Sequence, residues 1–226
     1  HSAGSGKTNS IAWTAHFLSD LHDAQNHKVF STVLVISDRN VLDAQLQEAI
    51  YDFQRTTGVV ATITGADASK SQQLAQALSG DKKIVVCTIQ TFPFALEAVR
   101  ELAATQGKRF AVIADEAHSS QTGESAAKLK AVLTTEEQQA LADGGEISNE
   151  DILAAHMQAR AGQDAAISTI AFTATPKAKT LELFGRRPKP NMPSSDDNKP
   201  EPFHVYTMRQ AIEEGFGHAH PQTALD

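Results

Sequence analysis

The chain has 226 residues, 41% hydrophobic and 21% charged, with a formal net charge of −7. This is globular composition, long enough to bury a sizeable core, and it argues against a broadly cationic nucleic-acid-binding face. No apolar run approaches the length of a membrane span, no signal peptide is expected, and the lone Cys87 excludes an internal disulfide framework. A cytoplasmic protein without membrane contact is expected, its single thiol suiting a reducing compartment. The chain opens without an initiator methionine and reads as an internal fragment, with further parts expected at both ends.

The first stretch, Gly4-Ser5-Gly6-Lys7-Thr8, has the chemistry of a phosphate-binding loop. Glycines let successive N–H groups turn toward an anion, and a helix opening near Lys7 adds the positive end of its dipole. Lys7 then reaches terminal phosphates and the Thr8 hydroxyl holds Mg²⁺. The full pattern G-x-x-x-x-G-K-[ST] asks for glycine where His1 stands, so a Gly/Ser-rich terminus containing Gly-Lys-Thr stays open as an alternative. Lys7 to about Asp23 reads as a helix, with Ile11, Ala15, Leu18 and His22 on one stripe. Trp13 and Phe17, four apart, are expected to pack in the core.

Val33–Ile36 is a continuous apolar run, as in a strand buried on both faces. Ser37-Asp38-Arg39-Asn40 follows, and Asp38 or Asn40 can cap a helix carrying Leu42, Leu46, Ile50 and Phe53. Val59–Ile63 is a short strand, Gly65–Lys70 a turn and Ser71–Leu78 a short helix ending at Ser79-Gly80. Lys83–Thr88 is a second buried strand containing Cys87, read as a small core residue. Ile89 and Gln90 leave its end, and Pro93 opens a helix with Leu96, Val99 and Leu102. Phe110–Ile113 is a further strand that delivers Asp115, Glu116 and His118 at its end. Residues 119–163 read as helical and polar, broken at Asp143-Gly-Gly145, with Asn149 capping a helix through Ile152, Leu153 and Met157. Ile167–Phe172 is the last clear strand, followed by Thr173-Ala-Thr175-Pro176. Arg186–Pro202 reads as an exposed loop or linker, Phe203–Tyr206 as one more strand and Met208–Glu214 as a helical turn stopped by Gly215. His204, His218 and His220 lack a fourth ligand at useful spacing, so a metal centre is not expected there.

Apolar strands alternating with helices predict an α/β parallel sheet covered on both faces. In such sheets ligands sit beyond the carboxyl ends of the strands. Gly4–Thr8, Ser37–Arg39, Thr88–Gln90, Asp115–His118 and Thr173–Thr175 all fall at such ends. Phosphoryl transfer depends mainly on positioning and charge neutralisation. Asp115 supplies a carboxylate near Mg²⁺, and Glu116 one that orients attacking water. A helix cap explains an isolated Asp-Glu pair equally well; Lys7 and Thr8 upstream favour the catalytic reading. His118 is placed to couple this site to the Thr173 and Thr175 hydroxyls, although those threonines also suit a turn closed by Pro176.

His1–Thr8, Asp115–His118 and Thr173–Thr175 resemble motifs I, II and III of superfamily 2 helicases and translocases. Longer stretches are similar to the motor subunit of type I restriction enzymes: His1–Thr8, Val35–Asp43, Asp115–Gln121, Ala171–Lys177, Thr180–Gly185 and Met208–Gly215. The last two are particular to that family, where a histidine in the place of His1 is usual. The resemblance covers nearly the whole chain, although 217–226 departs from it. It implies the first RecA-like lobe of an ATP- and Mg²⁺-dependent double-stranded DNA translocase, partnered by methylation and specificity subunits. By resemblance, Ser37, Asp38, Arg39, Thr88 and Gln90 meet DNA, mostly at phosphates, which reconciles DNA binding with the negative net charge. Asp38 as a helix cap and Gln90 as a strand-end cover remain the plainer alternatives.

The expected organisation is a RecA-like lobe over 1–185, lacking the strand before the phosphate loop, an exposed linker over 186–202, and the start of a link to a second lobe over 203–226. The loop without that strand is expected to fray. Neither the family's nuclease signature nor its second lobe is found in the sequence. The full-length parent is expected to hydrolyse ATP and restrict DNA, and the isolated chain to be inactive. The competing readings are another superfamily 2 translocase, or a fragment that binds nucleotide or DNA without turnover.

Overall fold

A computed structural model describes residues 6–37, 48–51, 59–63, 70–88, 91–115, 120–121, 147–148, 166–174, 176, 178–193 and 195–214. Five strands are long enough to form the main sheet: β1 (Thr32–Ser37), β2 (Val60–Thr62), β3 (Ile84–Thr88), β4 (Phe110–Asp115) and β7 (Ile167–Phe172). All pair in parallel in the order β2-β3-β1-β4-β7. The helices are α1 (Lys7–Ser19), α2 (Lys70–Ser79), α3 (Phe92–Gln106), α4 (Ala178–Phe184) and α5 (Met208–Glu213). The α/β parallel architecture predicted from the sequence is therefore present, and it is RecA-like.

Alternation along the central strands decides which helix covers which face. Val33 and Val35 of β1, Ile84 and Val86 of β3, and Ala111 and Ile113 of β4 turn toward one face, where Ile11, Ala12 and Ala15 of α1 meet them. Leu34, Ile36, Val85, Cys87, Phe110 and Val112 turn to the other, against Leu74 and Leu78 of α2 and Ala95 and Val99 of α3. With both faces covered, β1 and β3 are buried along their whole length. This is why they read as unbroken apolar runs rather than alternating ones. β7, at the sheet's edge among the described residues, is only half-buried.

Several expectations are corrected. α1 stops at Ser19, not near Asp23. Asp23 Oδ1 accepts the backbone N–H groups of Gln25 (2.9 Å) and His27 (2.8 Å), a local turn that competes with the helix, and His22 pairs with Lys28 in an antiparallel bridge. Lys83 fastens the helix end to the sheet by donating to Asp20 Oδ1 at 3.0 Å, which holds that carboxyl below its ordinary range. Trp13 and Phe17 are not core residues: they are 57% and 67% exposed. The sheet-facing side of α1 is already filled by Ile11, Ala12, Ala15 and Ser19, which leaves the opposite side to solvent.

Within the stretch read as helical, Ser120–Gln121 (β5) and Ile147–Ser148 (β6) instead form an antiparallel pair. The rest of 119–163, including the helix expected after Asn149, lies outside the described residues. So do the turn expected at Gly65 and the residues flanking 48–51, where a helical turn buries Ile50. Phe203–Tyr206 forms no strand; Phe203 and Val205 are largely exposed, without the sheet partner that a strand needs.

The 186–202 segment is exposed for most of its length, as expected, but it is also closed on itself. Arg186 and Glu201 exchange backbone hydrogen bonds of 2.8 and 3.0 Å. Buried Asn198 accepts from the Lys189 N–H and donates to the carbonyls of Lys189, Met192 and Pro193. Gly185 lets this closure dock, because a Cβ there would collide with the Leu181 carbonyl and stand 2.9 Å from that of Glu201.

The packing predicts a sharp contrast. Leu34→Ala, in the fully buried strand, is expected to cost about 3 kcal/mol in denaturant unfolding. Phe17→Ala, on the open side of α1, is expected to stay within about 0.5 kcal/mol. Equal losses would show that the face assignment of α1 is wrong.

Candidate active site

The register lines up the strand ends that the sequence singles out. Ser37 of β1 stands beside Thr88 of β3, and Asp115 of β4 beside Phe172 of β7, with Thr173 next in the chain. α1 starts over this row. Its first residue, Lys7, places Nζ 3.0 Å from Asp115 Oδ1, with the two side chains only 13% and 16% exposed. Asp115 Oδ1 is fully enclosed and, among the described residues, takes no hydrogen bond of good direction, so its contact with Lys7 is a charge pairing rather than a directed bond.

The entrance to α1 is built for the same polarity. Gly6 adopts a left-handed conformation (φ 72°, ψ 24°), which a side chain would strain. Its carbonyl accepts the Ser10 N–H at 3.1 Å and begins the helical ladder. No side chain caps this end among the described residues, and the first turn carries no acidic residue. The helix therefore brings no carboxylate of its own to its positive end, which suits an anion site. Thr8, on the same turn, is half-buried.

The other strand ends are tighter. Ser37 is buried. Thr88 is buried too, and its hydroxyl meets that of Thr91 at 3.1 Å, while the Thr91 N–H donates to the Thr88 carbonyl at 3.0 Å. Thr173 is half-buried. The structure thus brings Gly6, Lys7, Thr8, Asp115 and Thr173 to one end of the sheet, with Ser37 and Thr88 below the surface at the same end. Gly4, Ser5, Asp38, Arg39, Gln90, Glu116, His118 and Thr175 lie outside the described residues.

Cys87 is no nucleophile: burial pushes its thiol up to about 12, so it stays protonated and inert near neutral pH. Among the described residues there is no cluster of three potential metal-binding side chains, and His204 is exposed. No described helix is long and apolar enough to cross a membrane.

Three features escaped sequence reasoning. His16 Nε2 bonds the Ile50 carbonyl at 2.8 Å, tying α1 to the helical turn over 48–51; a contact across 34 residues has no local signal. Thr207 and Gln210 form a reciprocal cap at the start of α5, which the T-x-x-Q spacing does signal. A cavity of about 780 Å³ opens beside β7, lined among others by Thr14, Phe172, Leu181, Phe184, Val205 and Met208; Lys7 and Asp115 do not line it.

A parallel α/β sheet with a lysine-headed helix over a strand-end aspartate defines the class: a RecA-like, superfamily 2 helicase-like ATPase domain. Residues 1–217 match the SWI2/SNF2 ATPase family, and the chain belongs to that family. It is accordingly an ATP-hydrolysing domain of the kind that powers ATP-dependent nucleic-acid motors. No curated protein matches the chain closely enough to serve as a relative.

The pair is testable as a pair. In the nucleotide-free protein, Lys7→Met and Asp115→Asn are each expected to destabilise by on the order of 1–3 kcal/mol, because each removes one member of an enclosed ion pair. The double variant is expected to lose less than the sum, with a coupling above about 1 kcal/mol in denaturant unfolding. Strict additivity would contradict the contact.

Proposed function

We propose that this domain is the first motor lobe of an ATP-driven double-stranded DNA translocase, the motor subunit of a type I restriction enzyme. The observation that carries the ATPase site is the enclosed Lys7–Asp115 pair at the uncapped head of α1. A buried cation and anion, each able to serve a different part of a metal–nucleotide complex, fit that ligand better than either charge alone. Gly4, Ser5, Gly6 and Thr8 contribute amides and a hydroxyl toward the phosphates, and Lys7 neutralises the terminal ones. Thr8 and Asp115 are the residues that would hold Mg²⁺, which supplies charge neutralisation at the transferred phosphoryl group. Glu116 orients the attacking water, and His118, Thr173 and Thr175 transmit the state of the site along the strand ends.

Double-stranded DNA is the proposed track. The buried placement of Ser37 and Thr88 favours contacts made by the loops they anchor, through Asp38, Arg39 and Gln90, over direct contact by their own hydroxyls. The restriction assignment rests on the similarity of Thr180–Gly185, which spans most of α4 and its glycine, and Met208–Gly215, which contains α5. It carries with it methylation and specificity subunits as partners, a cytoplasmic location, a lobe over 1–185, a linker over 186–202 and the start of a link to a second lobe over 203–226. The SWI2/SNF2 match suits a translocase outside restriction systems as well, so partner identity is the finer test.

In the full protein, Lys7→Ala is expected to abolish DNA-stimulated ATP hydrolysis, a loss of at least about 100-fold in turnover. Retained DNA-stimulated turnover would remove Lys7 from the site. Co-purification with a DNA methyltransferase subunit supports the restriction assignment, and a motor active on DNA without such partners contradicts it.

A further inference from the structure

Two helices of this chain begin behind a threonine, and the two threonines behave differently. Thr207, at the head of α5, is extended (φ −83°, ψ 160°), and its side chain accepts the Gln210 N–H, the ordinary task of a residue in that place. Thr91, at the head of α3, has helical dihedral angles (φ −88°, ψ −19°), and its side chain makes no capping bond among the described residues. Its hydroxyl turns back to the end of β3 and meets that of Thr88 at 3.1 Å, with both residues buried. The Thr91 N–H donates to the Thr88 carbonyl at 3.0 Å, and the Thr91 carbonyl accepts the Ala95 N–H at 3.1 Å to open the helix. Pro93 stands in the first turn, so α3 has one amide fewer to cap, which releases the threonine hydroxyl for this other contact.

Thr91 thus ties the last residue of β3 to the first turn of α3 twice, once by backbone and once by side chain. The backbone bond closes many tight turns. The hydroxyl pair is the addition, and capping of the helix does not account for it. Withdrawn from water, such a bond is stronger than at a surface and holds a narrower geometry. Both of its sides are anchored, because Val85 and Cys87 of β3 and Ala95 and Val99 of α3 lie in one core cluster. In the sequence only Ile89 and Gln90 separate the two threonines. The bracket therefore sets where the chain leaves the strand before those residues and where it enters the helix after them.

We propose that Thr91 is a positioning residue for the DNA track; this rests on the function proposed above, in which Gln90 meets the duplex. The Thr91 hydroxyl acts through Thr88 and is too deeply buried to touch DNA itself. By holding the base of the β3–α3 connection in one geometry, it lowers the ordering cost of binding at that connection.

The test uses the full protein and a linear DNA duplex, with ATP hydrolysis followed across DNA concentrations. Thr91→Val, close in shape but without the hydroxyl, is expected to need about 5-fold more DNA for half-maximal stimulation, while the rate at saturating DNA stays within about twofold. Thr91→Ser keeps a hydroxyl and is expected to respond to DNA as the wild type does. Thr88→Val is expected to match Thr91→Val, and the double variant to be no weaker than either, because all three remove one and the same bond. Thr91→Ala carries the same expectation should the valine variant not fold. A DNA requirement unchanged in Thr91→Val, or losses at 88 and 91 that add, overturns the bracket and leaves the motor reading intact. So does a fall in the saturating rate with no change in DNA requirement, the mark of a residue that only supports the fold. A wild type whose ATP hydrolysis does not respond to DNA overturns the proposed function and the bracket together.

Discussion

One enclosed ion pair joins the two parts of the molecule that matter most. Lys7 opens α1 and Asp115 closes β4, and their 3.0 Å contact sets the head of the helix over the carboxyl edge of the sheet. Neither position is chemically comfortable alone. An ammonium or carboxylate withdrawn from water costs free energy unless it is matched, so the pair is stable only while the helix and the strand hold their relative places. That requirement falls on the core. Ile11, Ala12 and Ala15 fix α1 against β1, β3 and β4, and the parallel register fixes where β4 ends. The polar site is thus carried by an apolar lever whose geometry leaves it little freedom.

The opposite face explains why that lever is stiff. α2 and α3 cover the sheet there with Leu74, Leu78, Ala95 and Val99, so the central strands have no solvent face along which to slip. A one-residue slip would send Leu34 and Ile36 to the α1 side and Val33 and Val35 away from it. Because both sides are filled to different shapes, the register is over-determined, and so is the row Thr88, Ser37, Asp115, Thr173 at the strand ends.

Much of this was legible in the residues. The unbroken runs Val33–Ile36, Lys83–Thr88 and Phe110–Ile113 announce doubly covered strands, and the polar residues after each run announce a ligand edge. The start of α1 at Lys7 follows from the glycines before it. What the residues hid was mostly long-range or competitive. Trp13 and Phe17 have a helical spacing that fits a buried stripe, yet α1 has one buried side and Ile11 and Ala15 already occupy it. The end of α1 was lost to the side chain of Asp23, a local competitor that an apolar periodicity does not register. β5 and β6 are two-residue strands 25 residues apart, too short for any pattern. In 186–202 the prolines and aspartates signal a loop, but nothing local marks Asn198 as the residue around which it closes. Most telling is the site itself: Lys7 and Asp115 were both singled out, but that they meet each other could be seen only once the sheet was assembled.

On the proposed function, this ion pair is the empty form of an ATP site. A crystal structure of the chain with Mg²⁺ and a non-hydrolysable ATP analogue tests it most directly. Phosphates are expected at the head of α1 over Gly6–Thr8, with Lys7 turned onto a phosphate and Asp115 turned toward the metal, the 3.0 Å contact between them broken. A nucleotide bound elsewhere, or bound with Lys7 and Asp115 still paired, would contradict it.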